Sequence, residues 1–261
     1  MSVEFHEVEI EDVIRETSDC ASFELRVPGE LADRFRYRAG QHLTFKFLWE
    51  DFEVTRCYSL SSSPDLDEPL KIAVKRVEGG RISNWVNDAL KPGDKVTVSV
   101  PEGRFVLDPE TRSSTPLFLF AGGSGITPII SLLKSALQTT GRHVTLLYAN
   151  RDAESIIYRD ELAQLAASHP ARFTLHHHLD SERGYIDASA VRAVLEHTDI
   201  AEFYVCGPEP FMELIESTLA DAGVHEELIY VERFVSPADP DRAALTAVDE
   251  ASLPAPDSFS L

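Results

Sequence analysis

The chain has no long apolar run, few cysteines, few lysines and little positive charge, and each shortage removes a class of function. No stretch of its 261 residues approaches the roughly 18–20 apolar residues that cross a bilayer as a helix. The opening residues, Met-Ser-Val-Glu-Phe-His-Glu, are acidic and lack the apolar centre of a secretory leader. Cys20, Cys57 and Cys206 are far apart and odd in number. They give neither a metal-binding spacing nor a disulfide framework, and they suit a reducing cytoplasm. Only six of the 24 basic residues are lysines, against 44 acidic residues, for a net charge of −20. Such a surface repels nucleic-acid phosphates and anionic lipid headgroups, so neither is an expected partner.

What remains is a chain long enough for two domains, 43% hydrophobic as in globular proteins. The first hundred residues alternate at period two. Runs at 23–27, 42–47, 71–75 and 95–100 read as half-buried strands. Turn residues at Pro28-Gly29, Ala39-Gly40, Ser63-Pro64-Asp65 and Lys91-Pro92-Gly93-Asp94 separate them. This predicts an antiparallel Greek-key β-barrel over 1–110, interrupted by one helix at 82–90. After about Pro109 the period changes. Strands at 116–121, 143–149, 172–177, 202–206 and 228–232 alternate with helices after Ile126 and at 156–167, 189–197 and 210–222. That order predicts a parallel-sheet α/β domain over 111–235. From Ser236 to Leu261 the composition turns to Pro, Ala, Asp and Ser, which reads as a linker or disordered tail.

Four motifs carry chemistry. Arg56-Cys57-Tyr58-Ser59 ends a β-like run. Arg56 suits a pyrophosphate, Tyr58 on the same strand face suits stacking on a flat cofactor, and Ser59 can donate to a ring nitrogen. The bland alternative is an exposed arginine and a barrel tyrosine. Residues Lys75 to Trp85 run strand, Gly79-Gly80 turn, helix start, with Ser83 as either an N-cap or a phosphate contact. Gly122-Gly123-Ser124-Gly125 joins an apolar strand to an apolar helix. It reads either as a phosphate cradle or as a tight turn needing positive φ. Cys206-Gly207-Pro208 ends a strand where ligands of open α/β sheets bind, or leaves a buried thiol that packs as a small hydrophobe.

Taken in order, Arg-x-Tyr-Ser, Gly-Gly-x-x-Ser, Gly-Gly-x-Gly-x-x-Pro and Cys-Gly-Pro resemble the ferredoxin–NADP reductase superfamily over residues 1–235. The wording Ala-Asn-Arg-Asp, then Ser-Ile-Ile-Tyr-Arg-Asp-Glu-Leu, is similar to the reductase components of bacterial oxygenases. Among these it most resembles those of 3-ketosteroid 9α-hydroxylase and phenylacetyl-CoA oxygenase. The resemblance implies FAD on the barrel, with Arg56 at its pyrophosphate, Tyr58 on its ring and Ser59 near its reactive nitrogen. The backbone of Val74, Lys75 and Arg76 would border the ring, and Gly80, Ile82 and Ser83 would hold phosphate. It implies NADH or NADPH at Gly122, Gly123, Gly125 and Thr127, with Cys206, Gly207 and Pro208 framing the nicotinamide and Met212 nearby. Glu232 and Phe234 would close the module, and Ser59, Cys206 and Glu232 would be the catalytic set.

The implied reaction is hydride transfer from NAD(P)H to flavin, then single electrons to an iron–sulfur carrier of a terminal oxygenase. A stand-alone NAD(P)H:ferredoxin or flavodoxin reductase and a non-catalytic flavin-binding regulatory protein are the alternatives. Such oxygenase reductases usually add a plant-type 2Fe-2S ferredoxin domain. Its cysteines are not in this sequence, so that cluster is expected on an absent C-terminal domain or a partner. The nucleotide choice stays open, because Arg151 suits a 2′-phosphate whereas Asp152 repels it and accepts from a 2′-hydroxyl. His176-His177-His178 alternate faces on a strand and cannot converge on one metal. Arg34, Arg36 and Arg38 read as a solvated strand face, with docking of an acidic carrier as the alternative.

Overall fold

The structure is a computed structural model that describes residues 4–49, 52–107, 114–195 and 201–234. The domain boundary expected near residue 110 and the tail from Ser236 fall outside the described residues. Six antiparallel strands form the first domain: β1 (Phe5–Thr17), β2 (Cys20–Arg26), β3 (His42–Trp49), β4 (Phe52–Ser59), β5 (Leu70–Lys75) and β6 (Lys95–Ser99). Their spatial order is β4-β3-β6-β1-β2-β5. Alternate residues Val8, Ile10, Phe23, Leu43, Phe45 and Val98 turn inward to a common core. Each such side chain removed from water contributes about 1.5–3 kcal/mol. The two edges of this sheet, β4 and β5, approach each other at the bridge between Leu60 and Ile72. Helix α1 (Arg81–Ala89) packs beside the seam through Ile82 and Val86, and Trp85 meets Phe47 edge-on at 5.7 Å.

The second domain is a five-stranded parallel sheet in the order β11-β10-β7-β8-β9. Its strands are β7 (Leu117–Gly122), β8 (Val144–Asn150), β9 (Phe173–Leu179), β10 (Glu202–Cys206) and β11 (Ile229–Glu232). Helices α2 (Ile126–Thr139), α3 (Arg159–Ser168), α4 (Asp180–Arg183), α5 (Ala188–Leu195) and α6 (Glu209–Asp221) connect them. Two apolar clusters, one on each face, account for the near-continuous apolar strands. A row of buried polar contacts fixes the second domain to the barrel. Tyr158 donates to Ser61 Oγ at 2.8 Å and lies 3.1 Å from Ser22 Oγ. Ser131 donates to the Ser62 carbonyl at 2.6 Å. Lys134, 2% exposed, reaches Glu68 of the barrel at 2.8 Å and Glu161 of α3 at 2.9 Å.

Three elements differ from the sequence expectation. The 13-residue β1 escapes a period-two reading because register shifts at Ile10/Asp12 and Arg15/Thr17 break its alternation. The helix expected over 156–167 starts only at Arg159. Its N-cap, Tyr158, sits in the left-handed region at φ 60°, and Ile156, Ile157 and Tyr158 are buried anchors rather than a helical turn. The arginine stretch is not a strand either. Residues Gly29–Phe35 form a 3-10 helix, and each arginine has a local partner: Arg34 with Glu4, Arg36 with Asp33, and Arg38 with the Leu107 carbonyl.

Candidate active site

The barrel seam and the carboxyl end of the parallel sheet face each other. On one lip, β4 carries Arg56 and Tyr58 on a single strand face. Tyr58 packs edge-on against Phe45 at 5.3 Å, and burial pushes its hydroxyl well above the usual tyrosine range. Arg56 donates to the Thr55 carbonyl at 2.9 Å, and Ser59 is buried at the strand end. On the other lip, Val74 points into the barrel core, and Lys75 pairs with Asp19 at 3.7 Å. Arg76 is held by Asp88 at 2.5 Å and by the Asn84 carbonyl at 3.2 Å, so its guanidinium anchors α1.

The start of α1 corrects one expectation. Gly80, not Ser83, is the N-cap residue, and no side chain caps the helix. Ser83 Oγ instead accepts from the Val77 N–H at 3.0 Å, and a Cβ on Gly80 would lie 2.8 Å from that oxygen. The start of α1 is thus without a side-chain cap among the described residues, an arrangement that suits phosphate. Ile82 is 2% exposed in the barrel core, so only its backbone is available to a ligand.

In the second domain the glycines answer two different demands. A Cβ on Gly125 would fall 2.1 Å from the Cys206 carbonyl oxygen, and one on Gly122 would fall 2.9 Å from Pro208 Cδ. Gly207 is equally crowded, at 2.7 Å from Phe211 Cδ1. These three let the β7 and β10 loops touch. Gly123 is different. It has φ 51°, and among the described residues the only atom within 4 Å of where a Cβ would sit, its chain neighbours apart, is Lys75 Nζ at 3.9 Å. It opens toward the barrel at the start of α2, which also lacks a side-chain cap. Thr127 donates to the Ser124 carbonyl at 3.1 Å and steadies this turn. Together, the two uncapped helix starts, the open Gly123 and the facing seam fit two phosphate-bearing cofactors.

Cys206 is fully buried on β10, in register with Ala121 of β7 and Glu232 of β11. Burial first, and the Glu232 charge second, raise its pKa far above the usual thiol range, so it stays protonated. Burial also raises the Glu232 carboxyl. Phe234 lies just beyond, 46% exposed. Pro208 is the N-cap of α6. Met212 lies in the first turn of α6, where its N–H donates to the Pro208 carbonyl at 3.0 Å, but its side chain does not face this surface. The helical period of α6 turns it into the core with Phe118, Phe120 and Val205, at 2% exposure. Arg151 and Asp152 pair with each other at 2.8 Å, and Asp152 also accepts from the Ser155 N–H at 2.9 Å. The Arg151 pair first, and the Ser155 hydroxyl second, hold its carboxyl below the usual range.

Two residues here were beyond sequence reasoning. Lys75 brings its ammonium to the Gly123 turn, although only its backbone was expected at the site. Asn150 ends β8 with its side chain 5% exposed. Its only sequence signal is a polar residue closing an apolar parallel strand.

The sequence matches the Oxidoreductase FAD-binding domain over residues 7–107 and the Oxidoreductase NAD-binding domain over residues 119–217. It is 41% identical over 242 residues to the ferredoxin reductase component of the 3-ketosteroid-9-alpha-monooxygenase of Rhodococcus rhodochrous, an alignment covering 91% of this chain and 68% of that one. It is 33% identical over 245 residues to one component of the 1,2-phenylacetyl-CoA epoxidase of Escherichia coli, covering 89% and 68%. Among solved structures, an Amycolatopsis cytochrome P450 reductase superposes with a TM-score of 0.75 at 25% identity, covering 92% of this chain and 72% of that one. The chain therefore belongs to the FAD- and NAD(P)-binding oxidoreductases of the ferredoxin reductase type.

Proposed function

We propose that this protein takes reducing equivalents from NADH or NADPH and delivers them to the iron–sulfur centre of an oxygenase system, working in a reducing cytoplasm. The observation that carries this reading is the meeting of the barrel seam with the carboxyl end of the parallel sheet, at Lys75 and Gly123. The names of the similar Rhodococcus and Escherichia proteins support the oxygenase setting. When bound, FAD accepts a hydride from a reduced nicotinamide and releases the electrons one at a time.

The chain's residues bind, orient and exclude water. Arg56 and the start of α1 at Gly80 hold FAD phosphate, with Ser83 shaping that turn through Val77 and Arg76 anchoring the helix behind it. Tyr58 backs the flavin ring with its hydroxyl kept neutral, and Ser59 supplies a hydroxyl at the strand end. Gly123 and the α2 N-terminus receive the nicotinamide nucleotide. Gly122, Gly125, Gly207 and Pro208 set the loop contact that shapes this place, and Thr127 holds the turn. Cys206 and Glu232 frame the nicotinamide as neighbouring groups with raised pKa values. Phe234 covers the open side. Arg151 and Asp152 sort NADH from NADPH.

The test is reduction of a plant-type 2Fe-2S ferredoxin by NADH or NADPH through the FAD-loaded protein. Turnover with the ferredoxin supports the proposal. Turnover with a flavodoxin alone supports the stand-alone reductase. FAD binding without any turnover supports the regulatory protein.

A further inference from the structure

We propose that Asn150 is a binding residue for the nicotinamide dinucleotide, its carboxamide receiving a neutral group that both donates and accepts a hydrogen bond. The inference rests on the dinucleotide reading of this site and adds a residue to it. Asn150 closes β8, is 95% removed from solvent, and has neither Oδ1 nor Nδ2 in hydrogen-bond geometry with any of the described residues. Buried side-chain amides are nearly always bonded, so an amide with no such partner among the described residues calls for one elsewhere, and we assign it to the ligand. Its position says where that partner lies. Strand alternation puts Asn150 on the same face as Tyr148. The Tyr148 hydroxyl donates to the Gly123 carbonyl at 3.0 Å. It also interacts with the Asn150 side chain, short of hydrogen-bond geometry, and is the amide's one rival partner among the described residues. The last rung between β7 and β8 joins Gly122 to Ala149, so Asn150 is the next residue beyond it, at the level of the open Gly123 turn. Ligands of open parallel sheets bind at this end of the strands.

The chemistry narrows the ligand group. A carboxamide offers one acceptor and two donors without charge. A phosphate, which mainly accepts, would leave Oδ1 unpaired, and the uncapped N–H groups of α2 already suit it. A hydroxyl or a second carboxamide satisfies both ends of Asn150. The dinucleotide holds both, as ribose hydroxyls and as the nicotinamide carboxamide. The rival explanation is a buried water. His177, on the rung of Tyr148, has an unpaired Nδ1 on the same face, and one water could join it to Asn150.

The experiment uses FAD-loaded wild type, Asn150→Ala and Asn150→Leu. It measures calorimetric affinity for the preferred of NAD+ and NADP+, affinity for the matching ADP-ribose, and the melting temperature without nucleotide. Both variants should bind the dinucleotide at least tenfold more weakly, about 1.4 kcal/mol. Their nucleotide-free melting temperature should be unchanged or raised, because an unsatisfied amide is gone. Loss for both ligands assigns the ribose, and loss for the dinucleotide alone assigns the nicotinamide carboxamide. Unchanged affinity in both variants overturns the proposal, and unchanged affinity with a lowered melting temperature does so in favour of the water. Wild type that binds none of these ligands overturns the dinucleotide reading itself.

Discussion

The two ends of the parallel sheet treat polar groups in opposite ways. At the amino end, Arg142 and Glu202 are both nearly fully buried, and they meet at 2.6 Å. Arg142 also donates to the Thr115 carbonyl at 2.5 Å. At the carboxyl end, Asn150 is left unpaired, burial alone raises Glu232, and Gly123 presents open space where another residue would place a side chain. On the proposed reading, the same strands use one end for stability and keep the other for ligands. The difference is physical: a matched buried pair resists solvent, whereas an unmatched group gains most when a ligand arrives.

Substitutions can break this contrast, beginning with the largest effect. Arg142→Leu strands the Glu202 carboxylate in the core and should cost about 3–5 kcal/mol in denaturant unfolding. The protein that still folds should keep its nucleotide affinity, and a selective loss of affinity would erase the distinction between the ends. Gly125→Ala drives a methyl against the Cys206 carbonyl and forces the two loops apart. A cost of about 1–3 kcal/mol is expected in thermal melts, with loss of NAD(P)H binding. Arg56→Ala removes the charge-assisted bonds proposed to FAD, and gel filtration should show the flavin lost at affinities weaker by about 1.5–3 kcal/mol.

Glu232→Gln tests the carboxyl end through pH. The folded pKa of Glu232 is raised above its ordinary 4.5, so the native state binds that proton more tightly than the unfolded chain. Wild-type stability should fall relative to the variant as pH rises from 4.5 through the folded pKa, with a constant difference below that window. Parallel stability curves at all pH values would contradict it. The smallest effect is expected for Asp152→Ala. Its ratio of NADPH to NADH affinity should rise several-fold, with about 1 kcal/mol of stability lost because the Ser155 cap goes too. An unchanged ratio would remove Asp152 from nucleotide choice.

The parallel sheet was legible because its apolar strands and amphipathic helices repeat in strict alternation, and the barrel because its turns are marked by Pro and Gly. β1 was not, since two register shifts scramble the signal that defines a strand. The helix at 156–167 was misplaced because Ile156, Ile157 and Tyr158 are apolar for a reason periodicity cannot express: they are buried where the second domain meets the barrel. Within the site, the motif residues Arg56, Tyr58, Gly123 and Cys206 announce themselves by type and order. Lys75 and Asn150 do not, because their significance depends on which distant residues lie opposite them. Met212 shows the converse, a residue in a motif whose helix turns it inward.

The central claim is that the barrel seam and the carboxyl end of the sheet hold two cofactors that react with each other. The purified protein, loaded with FAD, should be yellow, and anaerobic addition of NADH or NADPH should bleach the flavin absorbance in proportion to the nucleotide added. A protein that cannot retain FAD, or one whose bound flavin stays oxidised with both nucleotides, would contradict the account.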